Sequence, residues 1–388
     1  MSNLEVLAMY LPQFHRCKEN DLWWGEGFTE WTLVKKTKPL YKGHQQPRIP
    51  IMGYYNLQDA TFMGEQFNTA QQYGITGFNI YLYWSVNNKL LDAVIESINK
   101  NKSINTRFCF TWANHPWTRT WSNRSGAEEV LFPQNYESSK EEVEVFVDYL
   151  YRFFKDSRYI KINNKPLIYI YKPEDILNLN FFISSFREIF RTKYQLEVHI
   201  VGFINNQKES YSYLYCFDEV AIFNPTAVLF SSHNLFESKV VDRLSVRYIF
   251  NNLRSSKVKY FMSKLSSYRF QKYTIYNYEN FWNNIVSQYL SSQKLNNMPV
   301  QPMAVVDFDN TPRYGKRSKI FENVNQDIFK SGIKQLVSII NKQDGSSKIL
   351  LINAWNEWGE GMHLEPDNIK KYDFLISLKD AIIESGSK

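Results

Sequence analysis

The residues best suited to chemistry are two glutamates, Glu357 and Glu360, in the stretch 353–366 (NAWNEWGEGMHLEP). They follow the apolar run 349–352, which has the length of a buried strand. Their spacing predicts that one helical turn or a tight loop after this strand aims both carboxyl groups into the same space. Two carboxyl groups in one cleft can serve as the acid and the base or nucleophile that cleave or transfer a glycosidic bond.

The rings around this pair support a sugar site. Trp355, Trp358 and His363 would supply flat walls on which sugar rings stack. The alternative is that the two glutamates only begin a solvated helix, where negative charge is favourable in itself. The density of tryptophan and the buried strand before the motif favour the catalytic interpretation.

Composition sets limits on the class of protein. The chain has 388 residues, of which 44% are hydrophobic and 16% aromatic, enough for one large core or for two domains. A net charge of +7 mildly favours anionic partners. No basic stripe or known nucleic-acid-binding signature accompanies that charge, so nucleic acid is not an expected partner.

The cysteines and the apolar segments indicate the compartment. The three cysteines are widely separated and indicate neither a disulfide framework nor a zinc site. The chain shows no secretion-signal pattern at its start, and no apolar stretch approaches the length of a membrane-spanning helix. We therefore expect a cytoplasmic protein, and a peripheral position at a membrane surface stays open.

Apolar runs that alternate with helical patterns predict the elements that position the motif. Strands are predicted at 6–11, 77–84, 106–112, 165–171, 198–204, 219–223, 303–308 and 349–353. Helices are predicted at 57–73, 89–99, 137–154, 176–192, 280–290, 325–341 and 371–384.

This alternation predicts the α/β class and a single (β/α)8 TIM-type barrel over residues 1–388. A long functional loop, 18–55, would follow strand 1, and an insertion at 224–300 would separate strands 6 and 7. A doubly wound open sheet is the alternative, but no glycine-rich phosphate loop follows the first strand.

Residues just beyond the predicted strands are candidates for the site, because barrel enzymes hold their active sites at the carboxyl ends of the strands. These exit residues are Gln13, His15, Trp84, Asn114, His115, Lys172, Asn205, Asn224, Asp307, Asp309 and Glu357.

Several of these candidates have two interpretations. Glu30 is either a third active-site acid or a loop carboxylate in an ion pair. Arg119 either clamps a phosphate or uronate or forms a structural ion pair. Trp24 and Trp117 lie in loops, which favours sugar platforms over core burial.

The pair Asp307 and Asp309 forms a DxD pattern, which in nucleotide-sugar transferases holds a divalent cation. Because it ends a predicted barrel strand, we interpret Asp307 as an acid that contacts or supports the substrate, and we expect no metal and no cofactor. His15 and His363 lack a third ligand at a known spacing, so we expect them to bond sugar hydroxyls or a carboxylate.

Five motifs carry a resemblance to a known family. They are YLPQFH (10–15), NDLWWGEGFTEW (20–31), KPLYKGHQQPRIP (38–50), WANHPWTR (112–119) and NAWNEWGEG (353–361). Together they resemble the WbsX-type proteins of bacterial surface-polysaccharide loci, which are commonly labelled glycosyltransferases. That family is in turn similar to glycoside hydrolase family 99, the endo-mannosidases, whose barrel ends in an NEWHEG-type motif.

The resemblance implies roles for the acidic residues of the last motif. Glu357 matches the base of the hydrolases, Glu360 matches their general acid, and Glu365 matches a further acidic position. The implied chemistry retains configuration, because the 2-hydroxyl of the sugar attacks the anomeric carbon. Two departures bear on substrate contacts: Gly359 stands where the hydrolases have His, and His115 with Pro116 stands where the WbsX-type pattern has Glu and Asn.

The sequence therefore predicts an enzyme that cleaves or transfers a glycosidic bond of a bacterial surface oligosaccharide or polysaccharide, either free or lipid-linked. The predicted catalytic residues are Glu357 and Glu360. Predicted substrate contacts are Tyr10, Gln13, His15, Trp24, Glu30, Trp31, Trp84, Trp112, Asn114, Trp117, Arg119, Asp307, Asn356, Trp358, His363 and Glu365. A metal-dependent nucleotide-sugar transferase and a non-catalytic glycan-binding barrel are the two alternatives.

Overall fold

A computed structural model gives the structure of the protein. It describes residues 4–58, 60–86, 88–118, 129–134, 139–205, 214–231, 239–240, 273–291, 294–295, 298–343 and 347–386. Within these ranges, no helix is both long enough and apolar enough to cross a membrane.

Eight parallel strands form the centre of the fold. They are β1 Glu5–Tyr10, β2 Gly77–Ser85, β3 Phe108–Trp112, β4 Lys165–Ile170, β5 His199–Ile204, β6 Glu219–Ile222, β7 in two segments, Met298–Gln301 and Met303–Val305, and β8 Ile349–Asn353. Each strand pairs in parallel with the next, and β8 pairs with β1 through Leu351 and Leu7, which closes the sheet. The predicted (β/α)8 barrel is confirmed.

Strand β7 connects the two sides of the barrel through a break at Pro302. Its first segment pairs with β6 through Val300 and Val220, and its second pairs with β8 through Ala304 and Ile352. Proline has no amide hydrogen to donate to a neighbouring strand, but the Pro302 carbonyl accepts the Leu351 amide at 3.0 Å. The strand therefore begins at Met298, before the predicted start at Met303.

Helices surround the barrel and fill the loops at its carboxyl face. They are α1 Lys18–Trp24, α2 Trp31–Lys36, α3 Ala60–Gln72, α4 Ala93–Lys100, α5 Lys140–Phe154, α6 Leu179–Tyr194, α7 Thr226–Ser231, α8 Tyr278–Ser291, α9 Thr311–Tyr314, α10 Gln326–Lys342 and α11 Asp373–Gly386.

Local sequence explains where the long helices begin. Ser139 and Glu142 form a capping box at the start of α5, and the Asn325 side chain accepts two backbone amides at the start of α10. The long loop after β1 contains the short helices α1 and α2, because its glycines and prolines interrupt anything longer.

Shorter strands flank these elements. They are Asn88–Leu90, Trp117–Thr118, Val130–Phe132, Lys161–Ile162, Lys239–Val240, Thr274–Asn277, Lys294–Leu295, Lys319–Glu322, Asn356–Glu357 and Met362–His363. The single-domain division with an insertion at 224–300 stays a prediction. Within that range, α8 buries Phe281, Ile285 and Tyr289 in the hydrophobic core.

Candidate active site at the carboxyl face of the barrel

A small hairpin after β8 positions the two glutamates. Asn356–Glu357 pairs antiparallel with Met362–His363, and a 3-10 turn, Trp358–Glu360, joins the two short strands. Gly361 completes the turn at φ 65°, where a Cβ atom would lie 2.9 Å from the Asp309 carbonyl oxygen. The predicted turn after the strand is therefore present.

Asn356 anchors this hairpin to the exit of β1. Its side-chain oxygen accepts the Leu11 amide at 2.8 Å, and its nitrogen donates to the Leu11 carbonyl at 3.0 Å. The Asn356 side chain is fully buried and so holds backbone in place. Its predicted contact with substrate stays a prediction.

The guanidinium of Arg313, in α9, joins three carboxylates. Its Nη2 lies 2.9 Å from Glu357 Oε1, its Nη1 lies 2.6 Å from Glu360 Oε1, and its Nε lies 2.6 Å from Glu30 Oε1. Glu357 and Glu360 are therefore held together by one cation, the Arg313 guanidinium. Arg313 was not among the sequence candidates, although its position shortly after β7 places it at a strand exit.

Glu30 fills the space beside the turn that carries the pair. Its carboxylate accepts a hydrogen bond from Gln13 as well as from Arg313. A Cβ atom on Gly359 would lie 1.9 Å from Glu30 Oε1 and 2.7 Å from Arg313 Nε, so a glycine is required at this position unless Glu30 moves. This packing gives a physical reason for the glycine that distinguishes the motif from the NEWHEG-type pattern.

Burial changes the protonation of this cluster. Burial raises the pKa of Glu357 well above its ordinary value, and Arg313 opposes the shift only in part. Burial likewise raises the pKa of Glu30. Burial would lower the pKa of Arg313, but Glu30 and the pair outweigh it and the pKa of Arg313 lies well above its ordinary value. Arg313 therefore stays charged, and the buried carboxyls hold protons more readily than exposed ones.

A cavity of about 720 Å³ lies over this cluster at the carboxyl face of the barrel. Five of the predicted residues line it, namely Gln13, Trp24, Trp117, Glu357 and Glu360. A volume in this range is typical of pockets that bind small molecules. The Trp117 and Tyr83 rings meet edge to face at 5.2 Å on its wall.

Further lining residues come from positions that the sequence analysis did not select. They include Tyr81, Tyr83, Tyr171, Thr226, Arg313, Tyr314 and Arg317. His115, a predicted strand-exit residue, and its neighbour Pro116 also line the cavity. Tyr81 and Tyr83 are two residues apart in β2, so alternation along the strand points both to the same side. This spacing is the sequence signal that could have identified Tyr81 and Tyr83 as a pair on one face of the strand. Burial lowers the pKa of His115 to about 4, so its imidazole is neutral at neutral pH.

A second group of predicted residues lies beneath the cleft, outside its lining. The Trp358 and His363 rings stack with their centres 3.7 Å apart, and the Trp31 ring lies 5.9 Å from that of Trp358. The Trp358 indole donates to Glu365 Oε2 at 2.8 Å. These residues hold the turn that carries Glu357 and Glu360, and their predicted contacts with substrate stay predictions.

The remaining predicted residues lie at other places in the barrel. Tyr10 donates to Gln66 at 2.7 Å, Trp112 donates to the Trp84 carbonyl at 3.0 Å, and Asn114 bonds the Lys172 backbone in both directions. His15 is buried, and burial lowers its pKa. Arg119 lies outside the described residues.

Glu365 is a buried acid with three donors. It accepts hydrogen bonds from Tyr55, from Trp358 and from Gln66, and burial raises its pKa to about 7. Its neutral form therefore contributes stability that is complete below the unfolded-state pKa of about 4.5 and is lost as pH rises through about 7.

We predict that Glu365→Gln removes this part of the pH dependence, because an amide does not titrate. The free energy of unfolding should fall less between about pH 5 and about pH 8 in the variant than in wild type. Urea unfolding at both pH values measures the difference. Equal falls in the two proteins would show that Glu365 does not titrate in this range.

The DxD carboxylates pair with cationic and polar side chains. Asp307 Oδ2 accepts a hydrogen bond from Arg48 at 2.7 Å and another from Lys370, while Asp309 Oδ2 lies 2.8 Å from His44 Nε2. Burial raises the pKa of Asp307, but Arg48 and Lys370 outweigh it and hold the pKa below its ordinary value. Among the described residues, no group of three or more acidic, His or Cys side chains could hold a metal ion.

Because this network is buried, Asp307→Asn should reduce the free energy of unfolding by ~3–5 kcal/mol, by leaving Arg48 and Lys370 without their shared carboxylate. Chemical denaturation measures the loss. The matched control is Glu384→Gln, whose exposed side chain pairs with Lys330 and Lys334 and whose loss should change stability little. If the Asp307→Asn protein is as stable as wild type, Asp307 is not needed for stability and becomes a candidate for ligand binding.

The fold and the site together define a class. A closed parallel barrel with paired carboxylates and aromatic walls at its carboxyl face is the architecture of a carbohydrate-active barrel enzyme. The family model described as Glycosyltransferase WbsX matches residues 6–378. The chain belongs to this family, and the resemblance in the sequence is confirmed.

A curated protein is similar to nearly the whole chain. The chain is 28% identical over 379 residues to the uncharacterized protein WxcX of Xanthomonas campestris pv. campestris strain B100, and it spans about half the length of that relative (49%) and 97% of its own.

Two solved structures are similar in fold. One is titled a glycoside hydrolase-like protein, with a TM-score of 0.59 and 13% identity over 98% of this chain and 94% of that one. The other is a GH99 endo-alpha-mannosidase from Bacteroides thetaiotaomicron, with a TM-score of 0.57 and 13% identity over 100% of this chain and 98% of that one.

Proposed function

We propose that the protein cleaves or transfers a glycosidic bond in a bacterial surface oligosaccharide or polysaccharide, with Glu357 and Glu360 as the catalytic pair. The observation that carries the proposal is the convergence of both carboxylates on Arg313 at the base of the cavity. Both side chains line the cavity, and aromatic rings form its walls. Such a site suits sugar rings, which bind by stacking and by hydrogen bonds from their hydroxyls.

The chemistry proposed for the pair follows the roles that the motif carries. Glu357 accepts the proton of the sugar 2-hydroxyl, whose oxygen attacks the anomeric carbon while Glu360 protonates the departing oxygen. Water or another sugar hydroxyl then opens the strained ring, gives its proton to Glu360, and the 2-oxygen recovers its proton from Glu357. Two displacements at the anomeric carbon give retention of configuration.

The raised pKa of Glu357 suits this role. When Glu357 is ionised, its higher pKa makes it a stronger proton acceptor, and the acceptance of a proton from a sugar hydroxyl needs a strong one. Participation by the 2-hydroxyl requires it to lie trans to the leaving group, as in an α-mannose-configured unit. That geometry defines the substrate class to test first.

Transfer from a nucleotide sugar is the second candidate, and the family description as a glycosyltransferase favours it. The DxD pair is the feature such a mechanism would use. The engagement of Asp307 by Arg48 and Lys370 weakens this candidate, because a metal would have to displace two cationic groups. We propose that Asp307 instead supports the loop that carries Arg48.

The test is to incubate the protein with purified surface polysaccharide and with the lipid-linked repeat unit of its host, with and without nucleotide sugars, and to analyse the glycans by mass spectrometry. Loss of glycan mass without nucleotide sugar supports bond cleavage. Mass gain only with nucleotide sugar, abolished by EDTA and restored by manganese, would move the assignment to the second candidate. Tight glycan binding in calorimetry without any product over days would indicate a non-catalytic barrel.

The cellular setting is part of the same proposal. We propose that the protein works in the cytoplasm on lipid-linked precursors, at the inner surface of the membrane. Cell fractionation tests this directly, since detection in an extracellular or outer-surface fraction would contradict it.

A further inference from the structure

The cluster around Arg313 holds more negative than positive charge. Glu30, Glu357 and Glu360 come from two distant segments of the chain and surround one guanidinium at 2.6, 2.9 and 2.6 Å respectively. Glu30 and Arg313 are buried, with 2% and 8% of their surface exposed, whereas the Glu360 side chain keeps 25%. A buried excess charge has to be balanced by a proton or by another cation.

We propose that Arg313 and Glu30 are positioning residues that hold the catalytic pair and set its protonation, and that Gly359 is required because Glu30 occupies the space of a side chain there. This inference rests on the proposed function, since it assigns the pair its catalytic role. It adds a third carboxylate and its cation to a site otherwise described by two acids.

The guanidinium geometry supports positioning by arginine in particular. Its planar fork presents Nε and Nη2 to Glu30, Nη2 also to Glu357, and Nη1 to Glu360. A lysine carries the same charge at a single point and cannot hold three acids in a fixed arrangement. Arg313→Lys should therefore reduce kcat at least ten-fold with a smaller change in KM, because misplaced groups cost most in the transition state.

The Gly359 contact joins the turn to Glu30. A Cβ atom at position 359 would overlap Glu30 Oε1 at 1.9 Å and approach Arg313 Nε at 2.7 Å. The Glu30 carboxylate would have to leave Arg313, which would keep its contacts with Glu357 and Glu360. Gly359→Ala should therefore disturb the contact between Glu30 and Arg313, and Glu30→Ser should remove the same contact.

Other titratable groups face this cluster from the surrounding elements. They are Tyr81, Tyr83, Tyr171, Tyr314, Arg317 and Lys319. Burial raises the pKa of all four phenols, so they stay neutral near neutral pH. Burial lowers the pKa of Lys319, and the nearby Glu360 carboxylate offsets part of that shift. Glu30 and Glu357, whose pKa is raised by burial, are therefore the groups to follow by titration.

Removal of the negative charge of Glu30 and removal of the positive charge of Arg313 should shift the pKa of Glu357 in opposite directions. Glu30→Gln keeps the shape of the side chain and leaves Arg313 with more attraction for Glu357, so the pKa of Glu357 should fall by about one unit. Arg313→Gln removes the cation, so the pKa of Glu357 should rise by a similar amount. A purely structural role would not produce shifts of opposite sign.

The experiment is a pH titration of protein labelled with ¹³C at the glutamate carboxyl carbon, followed by NMR without any substrate. The Glu357 signal is assigned as the one absent from Glu357→Gln. We expect its midpoint to move down in Glu30→Gln and up in Arg313→Gln, relative to wild type and to the exposed control Glu26→Gln. An unchanged midpoint in Glu30→Gln would overturn the inference even if Arg313→Gln fails to fold.

A double-mutant cycle tests the steric part through the release of reducing ends from the host polysaccharide. Gly359→Ala should reduce kcat at least ten-fold, and the double variant Gly359→Ala with Glu30→Ser should be no worse than Glu30→Ser alone. Fully additive losses would overturn the coupling. If Glu357→Gln is as active as wild type, the proposed function fails. If it is inactive and the titration shows no shifts, only this inference fails.

Discussion

Glu357→Gln is expected to reduce turnover by roughly 10²–10⁴-fold, because the amide cannot accept the proton of the sugar 2-hydroxyl. Gln keeps the size of the side chain and can still accept a hydrogen bond from Arg313 Nη2, which lies 2.9 Å from Glu357 Oε1. The fold and the affinity for glycan should therefore change little. Product formation per minute, with calorimetry of glycan binding, separates the two effects.

Glu26→Gln is the matched control for this substitution. Glu26 lies in the loop that leads to Glu30, but its side chain is 91% exposed and forms a salt bridge with Arg16 at the surface. The control should retain wild-type turnover. Equal activity in Glu357→Gln and in the control would remove Glu357 from the mechanism.

Glu360→Gln should have an effect that depends on the leaving group. On the natural glycan, loss of the general acid should cost roughly 10²–10⁴-fold in turnover, because an alkoxide leaves poorly without a proton. On a glycosyl fluoride, whose leaving group needs no full protonation, the loss should be much smaller. Comparison of both substrates in the same assay gives the leaving-group dependence directly.

The same comparison distinguishes the two acids. Glu357→Gln should be impaired on both substrates, since the first step needs the base whatever departs. If Glu360→Gln loses the same factor in turnover on the glycosyl fluoride as on the glycan, the role of Glu360 as the general acid is contradicted. The greater exposure of the Glu360 side chain, 25% against 9% for Glu357, agrees with a group that reaches toward an incoming leaving group.

Much of the barrel could be predicted because its strands are apolar runs of characteristic length. The run 349–353 matches β8 at both ends, and the runs beginning at Gly77 and Lys165 match the starts of β2 and β4. Prediction was weaker at β7, whose first segment contains a proline and a glutamine. The tertiary pairing of Val300 with Val220 decides that segment, and no local pattern shows it.

Contacts between site residues could be predicted only where the residues lie close together in sequence. Glu357 and Glu360 belong to one motif, so spacing alone brought them together. Arg313 and Glu30 are separated by 283 positions, and only the closed barrel brings them into contact. The substitution of Gly for His at position 359 was visible in the sequence, but its reason was not, because that reason is the Glu30 carboxylate.

The tryptophans predicted to contact substrate fall into two groups, one at the cavity and one in the core. Trp24 and Trp117 line the cavity, whereas Trp84 and Trp112 pack against Phe146 of α5 in the core. The distinction depends on which face of a strand or loop each ring occupies, and a run such as YLYW does not give that face by itself. Tyr81 and Tyr83 in the same run face the cavity instead.

The most direct test of the roles proposed for Glu357 and Glu360 is the anomeric configuration of the first product, followed by ¹H NMR as wild-type protein acts on an α-mannose-configured oligosaccharide or on the host polysaccharide. We expect the newly formed end to keep the configuration of the bond that was broken, and Glu357→Gln to form no such product at a comparable rate. A first product of inverted configuration would contradict the proposed roles of Glu357 and Glu360.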